Sequence, residues 1–420
     1  MTVLLGAAPS IIGPSEVGAW MAAKGAPGAA ALLDFAGQKY GFRSAAGVPR
    51  WGSVAADMAF SRASAAGRWR ADGVYEMVGS NALRYDHDPV TREPLGVRIE
   101  GAATNLLTYS ECPAGTADLI SGSNITAVSD IEGGRTGLRL NNTTANAWAY
   151  KANPLATGTQ ATLSVLVEME DGAPPVFGGG AVSGLNTFAL VAGGPTLVPT
   201  VIARVGTKVW RCGWSGTSGG TGGVGVFQAT TNQQRRIKVT GFQLEAGSRA
   251  SSYIVTGATT GVRGTDNLSM PLPIVPANGF TIAFGAHMPR YGNVGDANVL
   301  LNLMPAASTA NRIGIDNFGR SNEVWMAFPG GVGTYRLATG IAPGAEFYGA
   351  LSWSAAQGWR GTALGGTVIN VTTQPAPAAD LARITIGSRA GAAPWNDTIE
   401  RLAMWSHGDF TDVQLQGLLE

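Results

Sequence analysis

Charge is scarce in this chain. Only 14% of its 420 residues are Asp, Glu, Lys or Arg, and Lys+Arg 29 against Asp+Glu 28 leaves a formal net charge of +1. A field that weak draws the chain neither to nucleic acid nor to an anionic membrane, so neither partner is expected. Cysteine is nearly absent: Cys112 and Cys212 are too few for a disulfide scaffold or a cysteine-built metal centre. Cys212 alternates with Trp210 and Trp214 and reads as the buried face of a strand. No stretch nears the roughly 20 apolar residues of a membrane span. The start, Met1 to Ala8, lacks the basic flank and apolar run of a signal peptide, so host lysis is the expected way out of a cell.

Glycine and proline are plentiful, at 60 and 22 residues, and suit short strands joined by tight turns. The expected class is all-β. The length predicts two or three domains of about 100–200 residues each. The first hundred residues are rich in Ala and Gly, with one short helix expected over Ser15 to Lys24 behind a Ser N-cap, and suit a partner-dependent anchor. Beyond Asn105 the pattern alternates. Leu163, Val165, Val167 and Met169 take one face of a strand, with Thr162, Ser164 and Glu168 opposite. Ile237 and Val239 fall on odd positions but Phe242 and Leu244 on even ones, and a bulge at Gly241 restores a common face. A polar stretch from Val255 to Asp266 marks a boundary. After it, Phe280, Ile282, Phe284 and Ala286 share one strand face, and Phe347, Leu351 and Trp353 another. Thr411 and Gln414 form a capping box ahead of a terminal helix with Leu415, Leu418 and Leu419. One-sided strands must stack to hide their apolar faces, which predicts antiparallel sandwiches. The expected organisation is a leader at 1–104 followed by two jelly-roll sandwiches, at 105–261 and 262–420.

Three stretches carry a resemblance. Phe60-Ser61-Arg62, Tyr85-Asp86-His87 and the run from Leu95 through Thr104-Asn105-Leu106-Leu107 to Glu111 resemble the leader of phage tail-fibre and head-spike proteins. The run Gly241-Phe242-Gln243-Leu244-Glu245, with Ser252-Tyr253-Ile254, is similar to the closing strand of their carbohydrate-binding-module-like jelly rolls. Ile384-Thr385-Ile386-Gly387, then Asp397-Thr398-Ile399-Glu400, resembles the end of a concanavalin A-like, laminin-G-like lectin domain. The resemblance implies a virion-surface attachment protein that contacts host polysaccharide, meets other virion proteins through its N-terminal region and assembles as a homotrimer or homopentamer.

Fold does not fix activity, so the chemistry must come from residues. Sugar recognition needs flat aromatic faces with short polar side chains beside them. Trp359 and Trp395 are the preferred candidates because Gln357-Gly358-Trp359 and Pro394-Trp395-Asn396-Asp397 read as turns. Asn396, Asp397, Trp325 and Tyr335 complete the expected set, and Trp148 and Tyr150 beside Asn141, Asn142 and Asn146 form a weaker one in the middle domain. Asp316-Asn317 and Asn396-Asp397 could contribute oxygens to Ca²⁺ but lack an ordered acidic spacing, so no cofactor is expected. A capsule depolymerase needs two carboxylates across a groove. The densest acidic group, Glu168-Met169-Glu170-Asp171, reads as a solvated hairpin end, and His87, His287 and His407 stand apart from any nucleophile. The run Gly219 to Gly223 lacks the Lys of a phosphate loop. No catalytic centre is expected. The rivals are a structural connector of the virion and a depolymerising spike.

Overall fold

The computed structural model describes residues 14–44, 46–141, 146–175, 186–191, 196–197, 200–220, 222–228, 236–290, 298–306, 312–317, 322–328 and 334–420. Nearly every element is an antiparallel strand, and the α-helices among the described residues are Pro14–Ala23, Val54–Asp57 and Asp412–Gly417. Two β-sandwiches result.

The first pairs a ten-stranded with a seven-stranded sheet. The ten-stranded sheet is centred on Asp397–Trp405, Phe280–His287 and Glu346–Ser354, and the seven-stranded one on Val299–Pro305 and Leu381–Ile386. Phe280, Ile282, Phe284, Leu351, Ile384 and Leu402 meet between them in one core. Strands within the first hundred residues, expected as a separate anchor, are built into this sandwich. Ala31–Asp34 pairs with Asp397–Trp405 (Leu32 opposite Ala403), Pro94–Ile99 pairs with the start of the same strand, and Ala59–Ser61 edges the seven-stranded sheet against Asn267–Pro271. The apolar groups that look too sparse for a domain, such as Leu33, Phe35, Val97 and Ile99, are completing a core whose other half lies beyond residue 266. Helix Pro14–Ala23 begins one residue before Ser15, which therefore sits inside the first turn and is not its cap. The terminal helix opens on the expected box of Thr411 and Gln414 and buries Leu415 and Leu419 on the outer face of the ten-stranded sheet, against Ala283, Ala350 and Trp405.

The second sandwich is inserted between these pieces. A six-stranded sheet centred on Ile237–Ala246 and Gln160–Met169 faces a five-stranded sheet of Ser121–Ser123, Ala147–Ala152, Gly223–Gln228, Asn186–Val191 and Thr196–Leu197. Trp210, Cys212 and Trp214 lie in its core with Leu163, Val165 and Val167. Gly241 sits at φ +62 where the pairing of the two central strands slips, and this bulge brings Ile237, Val239, Phe242 and Leu244 into one core. The chain enters the insert along Ala103–Asn105 and leaves along Gly261–Arg263, and these two strands pair with each other.

Residues of the first two of the three resembling stretches meet at this crossing. Arg62 Nη1 donates to Asp266 Oδ1 at 2.9 Å and Arg84 Nη1 to Glu100 Oε2 at 2.7 Å, while Arg84 Nη2 also meets Asp266. Arg263 Nη1 lies 3.3 Å from Glu100, whose other oxygen accepts from the Ser252 amide at 2.8 Å. All five charged side chains are sealed from solvent. Burial alone would push the Glu100 carboxyl up, but Arg263, Arg84 and Arg98 hold it well below the usual carboxylate range. Asn105 adds a neutral clamp: its Nδ2 donates to Phe242 O and Ile254 O, both at 3.0 Å, and its Oδ1 accepts from Leu107 N and Leu244 N. These residues weld the two sandwiches together.

Candidate functional site

The two preferred rings are core. Trp395 is 0% exposed, donates its indole N–H to His287 O at 2.8 Å and packs on Phe347. Trp359 is 1% exposed, donates to Pro375 O at 2.8 Å and meets Phe280, Phe328 and Trp353 edge-on or tilted. The reason lies in the backbone. Trp359 is the second residue of strand Gly358–Ala363 and not part of a turn, and the Pro394–Asn396 turn folds back under the sandwich because the Asn396 amide donates to Ile99 O. Neither ring can cover a sugar, and both are withdrawn from the site.

Asp397 is fully buried. Its Oδ2 accepts from the Arg290 amide at 3.1 Å, its Oδ1 from the Thr398 amide at 2.9 Å, and the guanidiniums of Arg98 and Arg290 lie 3.6 and 3.8 Å away. Two cations already face that carboxylate, so a Ca²⁺ ion fits poorly there. Asp316 is likewise buried beside Arg312, and Asn317 Oδ1 accepts from the Asn298 amide at 2.7 Å. Asn396 takes φ +65 and spans the crossing, accepting from Gly101 N at 3.1 Å and donating to Asn298 Oδ1 at 3.1 Å. Tyr335 is half-buried against Phe328, with its hydroxyl 2.9 Å from Thr373 Oγ1. Trp325 lies on the opposite face of that sheet edge, because its cross-strand partner is Arg336 while Met326 pairs with Tyr335. Its indole donates to Glu323 Oε2 at 3.0 Å and Arg336 sits 5.9 Å over its ring. The six expected residues thus occupy core, crossing and both faces of one sheet, and do not form one site.

A coherent aromatic surface exists on the inserted sandwich. In strand Ala147–Ala152, Ala147 and Ala149 face the core and are fully buried, which turns Trp148 and Tyr150 outward. Phe227 stands directly across from Trp148 in strand Gly223–Gln228, with Val224 and Val226 inward. All three rings are half-buried and belong to no core cluster among the described residues. Trp148 and Tyr150 are two residues apart on one strand, so their Cα atoms lie about 6.6 Å apart along it. Ser121 and Ser123 border the rings on the neighbouring strand, opposite Tyr150 and Trp148, and the Trp148 indole donates to Ser121 Oγ at 3.1 Å. Gly225 faces Tyr150, and a Cβ there would come within 2.0 Å of Ala149 O, so the surface stays bare beside the rings.

Trp148 and Tyr150 are the weaker pair of the sequence reading. Phe227, Ser121 and Ser123 were missed, although the alternation of Val224, Val226 and Phe227 about the glycines carried the signal. Asn141 belongs to another sheet, donating to Thr126 Oγ1 at 2.7 Å; Asn146 is exposed beside the platform strand, and Asn142 lies outside the described residues.

No carboxylate pair is set for hydrolysis among the groups expected to be acidic. Glu168 is buried and paired with Lys238 at 2.9 Å, and Glu170 with Arg139 at 2.6 Å, so this hairpin end is a salt-bridged structural piece and not a solvated one. Tyr348 OH contacts both Glu346 and Glu400. One hydroxyl carries one proton, so two ionised carboxylates cannot both be satisfied there. Burial pushes the Glu400 carboxyl up to about 7, and the neighbouring Glu346 adds to the shift. Both acids hold one phenol between them. Among the described residues no group of three or more His, Cys, Asp or Glu side chains converges as a metal site.

No family model matches the chain and no curated protein matches it. Among solved structures it is similar to the CBM40 of the Ruminococcus gnavus IT-sialidase, at 15% identity over 34% of this chain and 84% of that one, with a TM-score of 0.28. It is also similar to the N-terminal CBM22-1-CBM22-2 tandem domain of Xyn10C from Paenibacillus barcinonensis, at 12% identity over 73% and 99% of the two chains, TM-score 0.25. Mouse laminin alpha1 chain domains LG4-5 match at 9% identity over 73% and 88%, TM-score 0.21. Values this low assign neither family nor ligand, and what the surface can do follows from its own residues.

Proposed function

We propose that the chain is a non-catalytic carbohydrate-binding protein on the surface of a phage-like particle, and that it holds host polysaccharide on the outer face of the five-stranded sheet. The observation that carries the reading is the outward-facing platform of Trp148, Tyr150 and Phe227, over which no element lies among the described residues, with hydroxyls at its edge. Aromatic faces cover the C–H side of a pyranose, and serine hydroxyls meet its polar rim. The virion setting is supported by the resemblance of the leader and closing-strand motifs to those of tail-fibre and head-spike proteins. A shallow platform binds weakly by itself. Assembly as a trimer or pentamer would multiply its hold by raising the effective concentration of each remaining site.

Purified protein incubated with host capsule or lipopolysaccharide tests this reading. Retention without released sugar, lost in a Trp148→Ala/Tyr150→Ala double variant that keeps its fold, is the expected result. Sugar release, or retention untouched by the double variant, sinks it. Light scattering reads the copy number directly. The connector reading is favoured by one observation, the sealing of Trp359 and Trp395, and it predicts no retention at all.

A further inference from the structure

Between the sandwiches, beneath the hairpin of Ala66–Trp69 and Tyr75–Val78, lies a small cavity of about 50 Å³ that the polysaccharide platform does not use. Arg68, Arg98, Arg135, Arg211 and Arg290 line it, against one carboxylate, Asp86. That concentration of one charge is out of keeping with a chain whose net charge is +1.

The carboxylates close to Arg135 and Arg290 do not use up their donors. Asp86 is committed to Arg98 and to the Trp69 amide, which it accepts at 2.7 Å. Arg68 forks onto Glu76 from the solvent side, at 2.7 Å from Nε and 2.6 Å from Nη2. The Arg135 guanidinium carbon lies 5.5 and 5.7 Å from the ring centroids of Trp69 and Tyr75, and its nearest carboxylate oxygen, on Glu111, is 3.8 Å away. Arg290 Nε is buried without a hydrogen-bond partner, 3.8 Å from Asp397. A guanidinium has five N–H donors and a carboxylate engages two of them, so Arg135 and Arg290 keep donors to offer. The two rings hold Arg135 in place, which removes the ordering cost that usually weakens arginine contacts.

We propose that this cavity is an anion site that takes one small oxyanion group, of carboxylate or sulfate size, and so ties the two sandwiches together. The volume sets the size limit: a water needs about 10–15 Å³ by the same measure, so the cavity admits a few waters or one such group but no sugar ring. The charge sets the sign. Because arginine stays protonated throughout, the occupant is held by a permanent field. The group could be free in solution or pendant on an acidic saccharide, and the shared chemistry is the bidentate fork.

Titration calorimetry on the full chain separates the cases, with sodium sulfate, sodium acetate, glucuronate and a uronate-containing oligosaccharide, each against sodium chloride at matched ionic strength. Saturable one-to-one binding of sulfate or a carboxylate, weakened at least tenfold by Arg290→Gln and by Arg135→Gln, is expected. Binding of the simple anions alone identifies a free ion as the occupant; binding of the oligosaccharide as well identifies a pendant group. If Arg135→Gln does not fold, Arg290→Gln decides, since that side chain is 22% exposed. No heat beyond that of chloride, or affinity unchanged in Arg290→Gln, overturns the proposal. Neither result bears on Trp148, so the platform can fail or stand independently.

Discussion

The two sandwiches, each with tryptophans in its core, differ in what covers the outer face of a sheet. The larger one seals Trp359, Trp395 and Trp405, while the inserted one turns Trp148, Tyr150 and Phe227 outward. The difference follows from what covers each sheet. The ten-stranded sheet is buried on both faces, with Ala283, Ala350 and Ala403 on its outer side lying under the first and last helices, so its rings have only interior to go to. The five-stranded sheet has alanines and valines inside and no covering element among the described residues, so its outer rings remain at the surface. A ring's role is decided by the layer above it and not by its own sequence neighbours.

The contrast can be broken most forcefully at the weld between the two halves. Arg84→Met leaves Glu100 and Asp266 buried with a partner missing, and should cost about 3–5 kcal/mol in chemical denaturation. Independent unfolding of the insert with the wild-type midpoint would show that the network does not couple the sandwiches. Next is Trp359→Ala, expected to lose about 3–5 kcal/mol as other buried rings do, while any folded fraction keeps its glycan retention. Trp148→Ala reverses that pattern, with stability within about 0.5 kcal/mol of wild type and glycan affinity down at least tenfold. If the two variants behave alike, the division of labour is wrong. Gly241→Ala should then destabilise the insert by about 1–2 kcal/mol, since an L residue is strained at φ +62 and its Cβ would lie 2.9 Å from Leu166. The smallest effect is one of pH. Glu400 has its folded-state value raised to about 7, so its contribution is complete below the ordinary carboxylate range and is lost as pH rises through about 7. Thermal melts should decline over that interval, and Glu400→Gln should flatten the decline.

Local signals were the legible ones. The bulge at Gly241, the box of Thr411 and Gln414, and the one-sided strands around Leu163 and Phe284 are each fixed by residues a few positions apart, and each lies where the alternation and spacing point. What stayed hidden depends on distant partners. Leu32 faces Ala403 and Phe60 faces Leu268, and nothing within either segment identifies the other, so the opening hundred residues resembled an anchor when strands within them are structural. The candidate rings failed for a related reason. A tryptophan between Pro394 and Asn396 reads as surface unless one knows that Gly387 accepts its amide and Ile99 accepts the next one, folding the turn inward. Arg62, Arg98 and Glu100 were legible within a motif but their purpose was not, and Arg84 was not singled out at all, because a salt network shows itself only when its members meet.

Entry along Ala103–Asn105 and exit along Gly261–Arg263 place the two ends of the insert side by side, one strand spacing of about 4.8 Å apart. A segment with neighbouring ends leaves the framework strands on either side of it undisturbed, so a whole second sandwich is added without spreading the first. The framework strands and the outward-facing rings are thereby carried on different lengths of one polypeptide.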